Sequence, residues 1–155
     1  MHIPIVSAVG HGNTTLAAFD AALLAAGIGN FNLLTLSSVI PAGATIITDG
    51  AHSPPSGSWG DRLYVVMAQQ RTEVTGAEVW AAIGWVQDDS GRGLFVEHEG
   101  PSEQYVREQV NLSLEGLVRN RPESFGDQHT IVAGATHEGE PVCALVAAVY
   151  QAAPW

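Results

Sequence analysis

Apolar and polar positions change period several times along the 155-residue chain, and the changes mark out its elements. Residues 3–9 alternate and are rich in β-branched side chains, which predicts a strand. Gly10–Asn13 reads as a turn, with Asn13 or Thr14 available to cap a helix over 15–26, where Ala and Leu dominate. Leu16, Phe19 and Leu23 recur there at helical spacing and predict one buried face; Gly27 ends the helix. Residues 31–36 and 44–47 read as short strands, and 62–70 and 78–86 as longer ones. Asp88–Gly93 is a hairpin connection into a strand over 94–99. Ser102 stands ready to cap a second helix, 103–119, whose inner face is marked by Val106, Val110, Leu114 and Leu117. Strands over 129–135 and 141–151 are joined by a turn through 137–140, and the second is apolar on both faces, as a strand buried between layers would be. Residues 48–61 are crowded with Gly, Pro and Ser and read as a surface loop. Two helices and seven or eight strands, without an internal repeat, make one α+β domain over 1–155.

Composition narrows what such a domain does. Apolar residues make up 46% and charged residues 14%, a balance that excludes disorder. No run reaches the roughly 20 apolar residues of a membrane span, so no membrane partner is expected. The N-terminus lacks a basic region, so no secretion signal is expected either. With Cys143 as its one cysteine the chain forms no internal disulfide; a core thiol and a cytoplasmic setting follow. Sixteen carboxylates face six arginines, for a net charge of −10, which disfavours nucleic acid and is compatible with attracting a cationic small molecule. There is no lysine. That excludes a lysine-held pyridoxal phosphate and a P-loop, so any Schiff-base chemistry needs its carbonyl from elsewhere. The histidines form neither His-x-His nor HExxH, and no metal is expected.

Candidate chemistry concentrates in GIGNFNLLTLSSVIPAGATI, residues 27–46. Adjacent serines are ordinarily a turn or a cap, but Ser37 and Ser38 fall between a predicted strand and the apolar pair Val39–Ile40, where a hydroxyl needs a reason to be. Glu97 and Glu99, two apart on a predicted strand, share one face about 7 Å apart. On spacing alone a solvated edge accounts for them. Asn32 reads as a turn-capping amide, and Asp20 as an exposed helix charge beside the apolar stripe.

The stretch AAFDAALLAAGIGNFNLLTLSSVIP, residues 17–41, resembles the pyruvoyl-dependent arginine decarboxylase family. The likeness continues in order through GAEVWAAIGW, GLFVEHEG and CALVAAVY, and so covers most of the chain. The resemblance implies a four-layer αββα sandwich and a homotrimer of two-chain protomers with active sites between neighbours. It also implies autocatalytic cleavage at Ser37–Ser38 into a β chain, 1–37, and an α chain, 38–155, with Ser38 converted to a covalent pyruvoyl group. Asn32 would assist processing by polarising the Ser37 carbonyl or holding the oxyanion. Glu97 would be the catalytic proton donor, its pKa raised by burial near Glu99. Asp20 would hold the substrate guanidinium. The expected reaction converts L-arginine to agmatine and CO2 through a Schiff base to the pyruvoyl group. Two alternatives stay open: the same chemistry on histidine or aspartate, or an unprocessed, non-catalytic homologue serving as a structural or regulatory subunit.

Overall fold

The computed structural model describes residues 1–50 and 55–155; residues 51–54, part of the loop expected over 48–61, lie outside the described residues. The described chain runs β1 (His2–His11), α1 (Thr15–Ala25), β2 (Asn32–Thr35), β3 (Val39–Ile40), β4 (Thr45–Ile47), β5 (Arg62–Thr72), β6 (Glu78–Gln87), β7 (Gly93–Gly100), α2 (Glu103–Arg119), β8 (His129–Thr136) and β9 (Val142–Ala153). The first sheet has the order β2-β5-β9-β1-β4 and the second β3-β7-β6-β8. In the first, β9 is antiparallel to both its neighbours, while the edge strands β2 and β4 pair in parallel. The second is antiparallel throughout.

Three apolar clusters separate four layers. Ile3, Ile83, Phe95 and Val146 belong to the cluster between the two sheets. Ala18, Ala22, Leu63 and Leu145 join α1 to the outer face of the first sheet. Val106, Val110 and Leu114 seat α2 on the outer face of the second, against Ala82, Val86 and Val96. The order is αββα. β9 is covered on both faces, which is why Val142–Val149 is apolar at every position. Cys143 is fully buried there, and burial pushes its thiol pKa up to about 11, leaving it an unreactive core residue.

Caps set the helix ends. Thr14 accepts from the Ala17 N–H and Ser102 from the Tyr105 N–H, each through its side-chain oxygen. Gly27, with φ of +76°, stops α1. The β6–β7 hairpin is tied by Asp88, which accepts from Ser90 and Arg92; chiefly through the Ser90 hydroxyl, its pKa falls to about 2.

One expectation needs correction, and two gain detail. Leu16 is not on the buried face of α1 but 66% exposed; the face that touches the sheet is built on Ala18, Ala22 and Leu23. The reason is close approach: a Cβ on Gly10 of β1 would lie 2.2 Å from the Ala22 nitrogen, so only small residues fit between strand and helix. Val39–Ile40, read only as an apolar pair, is a strand of its own, pairing with Leu94 and Gly93. And the 137–140 turn carries the chain from β8 in the second sheet to β9 in the first.

Candidate active site

β2 ends on one sheet and β3 begins on the other, so the link between them crosses the sandwich at its edge. Both ends are fastened: the Leu36 N–H donates to the Val65 carbonyl of β5, and the Ser38 carbonyl accepts from the Phe95 N–H of β7 at 2.8 Å. The Ser37–Ser38 peptide bond is thus the crossing itself. Ser38 has φ of +70°, a left-handed conformation that no other non-glycine among the described residues adopts. A serine held there carries roughly 1–2 kcal/mol of steric cost, which its fastened neighbours sustain.

Opposite the crossing stands β7. Its odd-numbered residues face the other sheet, so Phe95 enters the intersheet core and Glu97, one step further, reaches Ser38. The Ser38 hydroxyl lies 2.9 and 3.1 Å from the two Glu97 carboxylate oxygens and donates to them. Glu97 is open to solvent along one side, yet enough protein surrounds its carboxyl that burial raises the pKa. The Ser38 hydrogen bond and the charge of His98 pull it down and that of Glu99 pushes it up; burial prevails. Ser37, Ser38, Glu97, His98, Ser113 and Asn120 border an open cleft of about 640 Å³ where β7 meets α2. His98 Nε2 and Ser113 Oγ, 2.7 Å apart, are hydrogen-bonded at its wall.

The other two expected site residues are elsewhere in a single chain. Asn32 opens β2, up to about 20 Å of extended chain from Ser38, and its amide donates to the Gly60 carbonyl rather than to Ser37. Asp20 is exposed on α1, a layer removed from the second sheet, with no hydrogen bond or ion pair among the described residues. One feature of the site was missed: Tyr150 of β9 reaches across to donate to the Val39 carbonyl at 2.9 Å. Extending the in–out alternation of β9 to its end would have found it.

A serine hydroxyl on a carboxylate, set at a strained bond between two fastened strands, is suited to attack its own backbone. The pyruvoyl-dependent arginine decarboxylase family model matches residues 2–153. The chain belongs to that family. Among pyruvoyl-dependent arginine decarboxylases, that of Methanocaldococcus jannaschii is 35% identical over 138 residues, 83% of this chain and 81% of the relative. That of Methanopyrus kandleri is 35% identical over 146 residues, 94% of this chain and 92% of the relative. That of Thermococcus sibiricus is 33% identical over 147 residues, covering 94% and 91%. The family works with a covalent pyruvoyl group instead of pyridoxal phosphate or a metal. Ser38 and its surroundings fit the formation of that group: a hydroxyl, an adjoining carboxylate and a fixed backbone. No described helix is long and apolar enough to cross a membrane.

Proposed function

We propose that the chain cuts itself between Ser37 and Ser38 and then decarboxylates L-arginine to agmatine and CO2. The observation that carries the reading is the Ser38 hydroxyl on the Glu97 carboxylate, at the strained crossing between the sheets. Glu97 takes the hydroxyl proton as Oγ attacks the Ser37 carbonyl carbon. The amide C–N bond breaks, the nitrogen of residue 38 is protonated, and an ester links Ser37 to the Ser38 oxygen. Loss of the residue 38 α-proton expels the Ser37 carboxylate. The remaining enamine takes up one water and releases ammonia, leaving a pyruvoyl group at the head of 38–155.

Once formed, that group supplies a carbonyl for the substrate α-amine and an acceptor for the electrons freed as CO2 departs. Glu97 stays beside it and, with its raised pKa, holds a proton to deliver to the substrate Cα. Asp20 is the carboxylate for the guanidinium, and the net charge of −10 draws the cationic substrate in. Asp20 and Asn32 are exposed and stand apart from Ser38 within a chain, and in a homotrimer of two-chain protomers they face a neighbour's site. The setting is cytoplasmic.

Intact mass spectrometry of the purified protein decides the first half of this reading. Two chains are expected, the longer lacking an amino terminus, reducible by borohydride, and releasing CO2 from arginine but not from histidine or aspartate. A single unbroken chain with an unmodified Ser38 would overturn it.

A further inference from the structure

β9 contains a bulge. Its pairing with β5 steps from Val65–Val149 to Tyr64–Gln151, so Tyr150 is the residue left without a partner. Before that step Val142, Ala144, Val146 and Ala148 face the second sheet, and Cys143, Leu145, Ala147 and Val149 face α1. Tyr150 still faces the second sheet, while Ala152 beyond it faces α1, so the alternation slips at this point. Bulges bend a strand and re-aim a side chain. Here the tyrosine ring lies edge-on to Phe95, centroids 6.2 Å apart, and its hydroxyl donates to the Val39 carbonyl at 2.9 Å.

Residues 38 and 39 are therefore held from both sheets: Phe95 of β7 holds the Ser38 carbonyl and Tyr150 of β9 holds that of Val39. β3 is two residues long, too short to fix itself. Burial, and then the charge of Glu97, push the Tyr150 pKa up to about 12, so the hydroxyl keeps its proton throughout the neutral range and remains a donor.

We propose that Tyr150 is a positioning residue for the reactive group at position 38, clamping the Val39 carbonyl from the opposite sheet so that the terminus freed by cleavage stays over Glu97. The proposal rests on the self-cleavage reading above. Before the cut, residue 38 is tethered on both sides by the chain. After it, residue 38 is a free end, and small displacements of a reacting group cost rate steeply.

The test is Tyr150→Phe, which keeps the ring and its contact with Phe95 and removes only the donor. Per borohydride-reducible carbonyl, kcat is expected to fall about 10- to 100-fold with KM within about two-fold of wild type. Incorporating 4-aminophenylalanine at position 150 restores a donor and is expected to recover most of the rate, whereas O-methyltyrosine, without a donor, is not. An unchanged kcat in the phenylalanine variant overturns the proposal, as does failure of the amino analogue to recover the rate. Should the phenylalanine variant not fold, the two analogues give the same comparison. If the wild-type chain itself stays uncut, the self-cleavage reading fails instead.

Discussion

In the proposed function Ser38 and Glu97 do two jobs in succession, and the same local physics serves both. Glu97 accepts a hydrogen bond from the Ser38 hydroxyl; on this proposal it takes that proton as a carboxylate and returns one as an acid once the hydroxyl is gone. A raised pKa brings the two forms closer in population near neutrality than an ordinary glutamate would. Glu97→Gln keeps the shape and loses the base, so self-cleavage is expected to slow by about 100-fold or more, followed on a denaturing gel as the disappearance of the full-length band. In the mature wild-type protein the acid form is required, so kcat falls as pH rises through the Glu97 pKa, at a higher pH than the ordinary glutamate value of 4.5. The same sign governs stability. The fold favours the protonated carboxyl, so this group's contribution is present at low pH and lost as pH rises from the unfolded value through the folded one. A pH–rate profile whose limb lies at or below 4.5 contradicts the assignment.

The elements take their placement from small residues as much as from large ones. Gly10 lets α1 settle directly on β1, with Ala18 and Ala22 at the contact. Gly10→Ala has only helix backbone to push against, 2.2 Å from the Ala22 nitrogen and 2.3 Å from the Ala18 oxygen. It is expected to cost about 3 kcal/mol or more, read as a lower midpoint in urea unfolding. A change within experimental error would mean that α1 is not seated as described. This contact also explains where the sequence was legible and where it was not. Strand and helix spans came out within a few residues, because periodicity and caps such as Thr14 and Ser102 are local signals. The buried face of α1 was misread because spacing favours the large Leu16, whereas the decision lay with a glycine on another element. Within the site, Ser37, Ser38 and Glu97 were nameable from motif resemblance. The left-handed conformation at Ser38 and the crossing between sheets depend on tertiary pairing that no local pattern carries. Asn32 and Asp20 were named by the resemblance alone, and both are exposed, with Asn32 bonded to Gly60.

For the molecule as a whole, the proposed cut separates covalent connection from structural integrity. Residues 1–37 contain β1, α1 and β2. β1 lies inside the first sheet, paired with β9 from Ile5 to His11 and with β4 from His2 to Pro4, and α1 is buried against β1 and β9. These are backbone ladders and apolar contacts, which salt does not screen. The two pieces are therefore expected to elute as one species from a sizing column in 1 M salt and to part only in denaturant. Elution of 1–37 by itself without denaturant would refute this. The severed bond is also one of the chain's crossings between the two sheets, and the cut changes how the protein refolds. The precursor folds as one molecule, at a rate independent of its dilution, but the mature protein, once unfolded, must find its two missing strands and helix by collision. Refolding becomes second order, slow and concentration-dependent at low protein levels, so the working enzyme persists through slow unfolding rather than easy recovery.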